Sequence, residues 1–63
     1  MKLDLSTDDV ATMLGLRTET IRDMAKANRL PAYKLEREWR FNSQQIERWI
    51  AAKGNKFAKS LRD

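Results

Sequence analysis

Apolar residues near the start of the chain recur at helical spacing. Val10 and Leu14 fall on one side of a predicted helix of about two turns. Ser6 precedes this helix and Asp9 follows three residues later, which is the spacing of a capping box, where each side chain accepts from the other residue's backbone N–H. Gly15 is expected to end the helix, because glycine readily adopts the left-handed conformation common at helix ends.

A second helix is predicted after a very short connection. Its buried stripe consists of Ile21, Met24 and Ala25, and it is expected to span residues 18–27. Asn28 is expected to close it, since asparagine tolerates the left-handed conformation. Two short helices joined by a tight turn that contains glycine are typical of a helix-turn-helix.

Residues 32–41 change from helical to alternating periodicity. Lys34 and Arg40 share one parity, which predicts a polar face that also includes Arg37 near the turn. Alternation with aromatic enrichment indicates a β-hairpin that turns near residues 36–38. Large apolar residues take the other parity, at Tyr33, Leu35, Trp39 and Phe41.

A third helix is predicted after the hairpin, with Asn42 or Ser43 as its N-cap and residues 54–55 at its end. We therefore expect one domain over residues 1–52 and a basic tail over residues 53–63, for which disorder and contact with a partner are both open.

The apolar positions of these elements form the predicted core, and packing is the expected role of each. Base stacking by the two tryptophans is the less favoured alternative, because their spacing places them on inward faces. The predicted core is Leu5, Val10, Leu14, Leu16, Ile21, Met24, Leu35, Trp39, Phe41, Ile46, Trp49 and Ile50.

Charge is distributed unevenly along the 63 residues, whose formal net charge is +4. Residues 1–16 carry a net charge of −2, whereas residues 17–40 carry seven bases against four acids. Residues 53–63 add four bases and one acid. This asymmetry favours a polyanionic partner, such as nucleic acid, over the alternative of surface charge kept for solubility.

The chain contains no cysteine and no histidine. Disulfides, cysteine or histidine metal sites and Ser-His catalysis are therefore excluded, and we expect no enzyme, no metal, no cofactor and no small-molecule substrate. No apolar run approaches the roughly 20 residues of a membrane span, and residues 1–4 do not read as a signal peptide. We expect a soluble cytoplasmic protein with no membrane partner.

Five separated blocks of the sequence resemble the excisionase-type branch of the MerR-like winged helix-turn-helix superfamily. The blocks are residues 5–11, 14–16, 29–34, 39–41 and 46–50. The resemblance covers residues 5 to about 51 and implies a mainly α fold with a small β-hairpin: a helix-turn-helix, a two-stranded wing and a third helix.

Two positions depart from the family pattern. Arg17 stands where the family usually has a Ser or Thr helix cap, so either Thr18 caps the second helix or Arg17 faces phosphate. The wing tip is Glu36-Arg37-Glu38, where the family usually has glycines. Two acids beside one base disfavour insertion of the tip into a phosphate-lined groove, which leaves Arg37 as the candidate contact there.

A helix-turn-helix places the start of its second helix in the major groove, where each base pair presents a distinct pattern of donors and acceptors. Surface ion pairs, Glu19–Arg22 and Asp23–Lys26, are the alternative for the charged residues of that helix. The recognition-helix candidates are Arg17, Thr18, Glu19, Thr20, Arg22, Asp23 and Lys26. The wing candidates are Lys34, Arg37 and Arg40, and the tail candidates are Lys53, Lys56 and Lys59.

The resemblance implies an excisionase, or recombination directionality factor. Such a protein binds direct repeats in double-stranded DNA cooperatively with further copies of itself, bends the DNA and directs a site-specific integrase toward excision of a prophage or other mobile element. The long dimerisation helix of MerR-type activators is not seen in the sequence. Two alternatives stay open: a small transcriptional regulator, and a protein-interaction module that docks through Phe57 and Leu61 without binding DNA.

Overall fold

The computed structural model describes residues 1–53. It confirms the predicted helix-turn-helix, two-stranded hairpin and third helix, and it adds a short strand before the first helix. In chain order the elements are β1 (Leu5–Ser6), α1 (Thr7–Leu14), α2 (Thr18–Lys26), β2 (Tyr33–Leu35), β3 (Glu38–Phe41) and α3 (Ser43–Lys53). The predicted end of α3 at residues 54–55 and the predicted basic tail beyond Lys53 lie outside the described residues.

The first helix begins and ends as its sequence predicts. The Asp9 backbone N–H donates to Ser6 Oγ at 3.2 Å, and the Ser6 N–H donates to Asp9 Oδ2 at 2.9 Å, which completes the capping box. Gly15 has a φ of 67° at the C-cap, and the Leu16 N–H donates back to Ala11 O at 2.9 Å. This is a Schellman-type ending, and it turns the chain within three residues into α2.

The second helix ends with the same motif built on asparagine. Asn28 has a φ of 59°, and the Arg29 N–H donates to Met24 O at 2.8 Å. The prediction that Asn28 closes α2 in a left-handed conformation is thereby confirmed. At the other end Arg17 is the N-cap, and its side chain makes no capping hydrogen bond.

The three strands form an antiparallel sheet in the order β1-β3-β2. Leu35 pairs with Glu38 and Lys34 with Trp39, so the hairpin turns through the two residues 36–37. Partners directly across an antiparallel pair share a face. The two-residue turn therefore places Lys34 on the same face of the sheet as Trp39, whereas Arg40 lies with Leu35 on the opposite face. The prediction that Lys34 and Arg40 share a polar face is wrong.

The core lies between the three helices and one face of the sheet. Phe41 is fully buried, together with Val10 and Leu14 of α1, Ile21 of α2 and Ile46 of α3. Leu35 is 49% exposed, so its predicted core position is wrong. The two-residue turn places it on the face of the sheet opposite Trp39 and Phe41. Leu30, which the pattern missed, is 3% exposed. The buried apolar residues are Val10, Ala11, Leu14, Ile21, Ala25, Leu30, Phe41, Ile46 and Ile50.

The remaining predicted core residues, Leu5, Leu16, Met24, Trp39 and Trp49, pack against this cluster while staying partly exposed. Among residues 1–53, none of the three helices has the length and hydropathy that crossing a bilayer requires.

The N-terminal residues fasten the start of α3. Asn42 is its N-cap, since the Gln45 N–H donates to Asn42 Oδ1 at 3.0 Å, and Asn42 Nδ2 donates to Lys2 O at 2.6 Å. The Ser43 N–H and hydroxyl donate to the two carboxylate oxygens of Asp4, at 3.0 and 2.9 Å. These donors, the backbone N–H of Ser43 first, lower the pKa of Asp4.

Candidate nucleic-acid interface

A cleft of about 360 Å³ separates the second helix from the hairpin. Two bases of α2 and two bases of the hairpin line it, against two acids, so its charge is net positive. Trp39 lies among the side chains that line it. The lining residues are Ser6, Thr7, Asp8, Arg22, Lys26, Lys34, Arg37, Glu38 and Trp39.

The exposed face of α2 has a charge gradient across it. Each residue turns the helix by about 100°, so Arg22 and Lys26 share the edge that faces the cleft. Glu19 and Asp23 follow around the helix, and Thr20 lies at the far edge; all five are exposed. The basic edge therefore adjoins the hairpin, while the two acids occupy the middle of the predicted recognition surface.

The alternative of surface ion pairs within α2, Glu19–Arg22 and Asp23–Lys26, is not seen among the described residues. Within residues 1–53, the ion pair with an N···O distance below 4.0 Å joins Arg40 and Glu38 at 3.7 Å. Neither Arg22 nor Lys26 has an acidic partner among the described residues. Both cations are therefore left in solvent beside the cleft, where an anionic ligand can reach them.

The hairpin brings Lys34 and Arg37 to the cleft and turns Arg40 away from it. Lys34 Nζ lies 4.8 Å from the centroid of the Trp39 ring, across from it on β3. Arg40 lies on the other face of the sheet, where it pairs with Glu38. Two of the three wing candidates, Lys34 and Arg37, therefore line the same cleft as α2. A DNA contact by Arg40 stays a prediction.

The start of α2 offers backbone donors. The first N–H groups of a helix lack partners within it, and the Arg17 side chain does not cap them. Such N–H groups, at the positive end of the helix dipole, favour phosphate. Arg17 is exposed and Thr18 is half-buried beside these donors. Thr18 does not take the N-cap position, and a phosphate contact by Arg17 stays a prediction.

Of the three tail candidates, the structure describes Lys53. It ends α3, and its Nζ lies 5.7 Å from the centroid of the Trp49 ring, on the opposite side of α2 from the cleft. Lys56 and Lys59 lie outside the described residues.

Sequence reasoning missed the wall that β1 and the start of α1 contribute to the cleft. Ser6, Thr7 and Asp8 reach it because β1 pairs with β3, through Ser6 opposite Arg40. A strand of two residues has no alternation to detect, since strand signals need about four residues or more. Trp39 was predicted as core, with base stacking as the less favoured alternative, whereas it is half-buried and also lines the cleft.

A tight helix-turn-helix whose second helix faces a basic hairpin defines a winged helix-turn-helix domain. The chain belongs to the helix-turn-helix domain family, whose sequence model matches residues 5–54. Comparison with curated proteins and with solved structures gives no match. Membership of this family indicates DNA binding, with double-stranded DNA as the partner.

Proposed function

We propose that this protein is a sequence-specific architectural DNA-binding protein that acts in the cytoplasm, on the nucleoid. One observation carries the proposal: Arg22 and Lys26 of α2 and Lys34 and Arg37 of the hairpin line a single cleft. Phosphate contacts by lysine and arginine supply most of the sequence-independent affinity for DNA. Four such residues on two neighbouring elements can contact the phosphates of a DNA strand that lies in the cleft between α2 and the hairpin.

The first half of α2 enters the major groove in this arrangement. Arg22 reads guanine through a bidentate pair, and Glu19 accepts from a cytosine amino group. Thr18 and Thr20 contact a thymine methyl or a phosphate, and Asp23 is the weakest base-reading candidate. Arg17 and the first N–H groups of α2 hold a phosphate at the edge of the groove.

The hairpin grips the adjoining backbone. Lys34 and Arg37 contact phosphates on the far side of the cleft, and such contacts position a protein without reading sequence. The acids Glu36 and Glu38 at the tip are repelled by phosphate, so the tip itself stays outside the groove.

The biological role that we propose is that of an excisionase, or recombination directionality factor, for a mobile element. The five-block resemblance supports this role, in which several copies bind direct repeats, bend the DNA and direct a site-specific integrase toward excision. Bending a site by 40–90° costs on the order of 1–6 kcal/mol, a cost that cooperating copies share. A small transcriptional regulator uses the same interface on a different arrangement of sites.

Selection of bound duplexes from a random library, followed by gel shifts at two salt concentrations, tests the DNA-binding proposal. Arg22→Ala is expected to cost about 1–3 kcal/mol and to relax specificity at one base pair. Arg48→Ala, which removes the same charge from the exposed face of α3 outside the cleft, is the matched control and is expected to retain affinity and specificity. If the protein retains no DNA at low salt, the DNA-binding proposal is wrong and the protein-interaction module becomes the favoured hypothesis.

The arrangement of the selected sites and the shape of the bound DNA test the finer role. Tandem direct repeats, with bent DNA in a circular-permutation gel assay, support the excisionase. A single or palindromic site on straight DNA favours the transcriptional regulator.

A further inference from the structure

The turn of the hairpin holds a glutamate in a conformation that favours glycine. Strands β2 and β3 pair up to Leu35 and Glu38, which leaves a turn of two residues. The first of them, Glu36, has a φ of 55°. A Cβ at positive φ crowds the following carbonyl oxygen, and the first position of such a turn therefore favours glycine. Because glycine would cost less here, the side chain of Glu36, and not its backbone, is the candidate for a function.

Glu36 also differs from the second acid of the hairpin in having no counter-charge. Glu38 Oε2 lies 3.7 Å from Nη2 of Arg40, so its charge is partly offset. Glu36 is exposed, and within residues 1–53 no cationic side chain lies within 4.0 Å of its carboxylate. The tip of the wing therefore presents the full negative charge of Glu36 to any ligand that approaches it.

The second residue of the turn carries the opposite charge toward α2. Arg37 lines the cleft together with Arg22, Lys26 and Lys34, whereas Glu36 is not among the lining residues. A DNA strand that lies in the cleft therefore meets the base of the turn. A groove that receives the tip itself has to accept the acid as well, because one peptide unit joins the two residues.

The minor groove is the part of a duplex in which this pairing of charges has the largest effect. A narrow, A·T-rich minor groove has an enhanced negative potential that attracts an inserted arginine. The same potential repels a carboxylate. Arg37 can enter such a groove only with Glu36 beside it, so the attraction of one side chain is offset by the repulsion of the other.

We propose that Glu36 determines the specificity of the wing by excluding Arg37 from the minor groove beside the site that α2 reads. The inference rests on the proposed DNA binding. Arg37 then contacts phosphates, and such contacts carry no sequence information. The protein is therefore indifferent to the A·T content of the flanking base pairs, and its sequence preference comes from α2.

Selection of flanking sequences tests this role of Glu36. The library keeps the site selected by wild type and randomises about ten base pairs, one helical turn, on each side. Wild type is expected to bind A·T-rich and G·C-rich flanks with equal affinity. Glu36→Gln removes the charge, keeps the size of the side chain and is expected to prefer A·T-rich flanks roughly 5-fold. That factor corresponds to about 1 kcal/mol, the Coulomb energy of two unit charges about 4 Å apart in water.

Further variants show whether the charge is the cause and whether Arg37 is the base that enters. Glu36→Asp keeps the charge in a residue that tolerates the left-handed conformation, and it is expected to stay indifferent to the flanks. Glu36→Gln combined with Arg37→Ala is expected to lose the A·T preference, because no guanidinium remains to insert. Glu47→Gln removes the same charge from the exposed face of α3 outside the cleft, and as the matched control it is expected to behave as wild type.

Salt and thermal stability distinguish the charge of Glu36 from the geometry of its turn. The A·T preference of Glu36→Gln is expected to weaken as salt is raised, since the Debye length falls from about 30 Å at 0.01 M to about 10 Å at 0.1 M. Glu36→Gly is expected to unfold at a higher temperature than wild type and to show the same A·T preference as Glu36→Gln. A preference in Glu36→Gly that Glu36→Gln lacks would overturn the proposal and assign the effect to the backbone.

The outcomes separate this inference from the proposed function. Wild type that retains no duplex at low salt counts against DNA binding itself. Wild type that binds its site but prefers A·T-rich flanks overturns the inference alone, because the tip then enters the minor groove in spite of Glu36. Indifference to the flanks in both wild type and Glu36→Gln also overturns it, because the charge of Glu36 then excludes nothing.

Discussion

The ammonium nitrogen of Lys34 lies 4.8 Å from the centroid of the Trp39 ring, its direct partner across the hairpin. A cation over an aromatic face is held by the ring quadrupole, with about 0.5–1 kcal/mol at exposed sites. The contact keeps a flexible lysine on the cleft side of the hairpin, opposite Arg22 and Lys26 of α2. It thereby preorganises a positive charge where the duplex backbone is proposed to lie.

Replacing Lys34 by glutamine should therefore weaken DNA binding almost equally for all sequences. Loss of one phosphate contact is expected to reduce the slope of log K against log salt concentration by about 0.9. Gel shifts over a range of salt concentrations measure the slope, and Lys34→Arg, which keeps the charge, is the control. An unchanged slope in Lys34→Gln would show that Lys34 contacts no phosphate and that its role is limited to its contact with Trp39 in the hairpin.

Replacing Arg17 by serine should raise the stability of the domain and lower its affinity for DNA. Arg17 occupies the N-cap of α2 without a capping hydrogen bond, and a serine there would accept from an early N–H of the helix. The free energy of unfolding is expected to rise by about 0.5–2 kcal/mol, while affinity for DNA falls because a phosphate contact is lost.

Thermal unfolding followed by circular dichroism and gel shifts on the selected duplex measure the two effects of Arg17→Ser. Ser6→Ala, which removes the working cap of α1, is the contrasting control and is expected to lower stability by a similar amount. If the serine variant gains stability and keeps full affinity for DNA, Arg17 does not contact DNA.

Local signals in the sequence predicted the helix ends well. Ser6, Gly15 and Asn28 each act within about four residues of chain, so their side chains or backbone preferences determine the outcome locally. The hairpin was predicted in position but not in register. Register depends on whether the turn has an even or odd number of residues, and the charged turn 36–37 lacks the Asn-Gly type of signal that reveals it.

The candidate site was predictable as a set of bases but not as a cleft. Periodicity identified Arg22 and Lys26 as exposed, whereas their position opposite Lys34 depends on how the hairpin packs. The short strand β1, which lies just before Asp8 of the cleft, is held by its pairing with β3, far along the chain. Tertiary contacts of this kind leave no periodic trace in the chain.

The two left-handed helix endings should respond differently to substitution. Gly15→Ala is expected to lower the free energy of unfolding by about 1–2 kcal/mol, because a Cβ at positive φ meets the following carbonyl oxygen. Asn28→Gly is expected to change stability little, since glycine readily adopts the φ of 59° found there. Urea unfolding of both variants beside wild type measures the difference. Equal losses in the two variants would mean that side-chain contacts, not backbone conformation, decide the cost at these positions.

Asp4 should make the stability of the domain depend on acid pH. Two hydrogen bonds from Ser43 favour the charged carboxylate, and the pKa of Asp4 is lowered in the folded protein. A lowered pKa means that the unfolded chain takes up the proton first as pH falls. The contribution of Asp4 is therefore fully present above about pH 4, the ordinary range of an aspartate, and is lost as pH falls through the lowered value.

The comparison that checks this is urea unfolding of wild type and Asp4→Asn between pH 2 and 7. Wild type is expected to be the more stable above about pH 4, and the gap between the two proteins should narrow as the pH falls below that value. Ser43→Ala, which keeps the backbone donor but removes the hydroxyl, is expected to show a smaller gap of the same form. Parallel stability curves for wild type and Asp4→Asn would mean that the two hydrogen bonds to Ser43 do not depend on the charge of Asp4, and that Asn42 and its bond to Lys2 fasten the start of α3 by themselves.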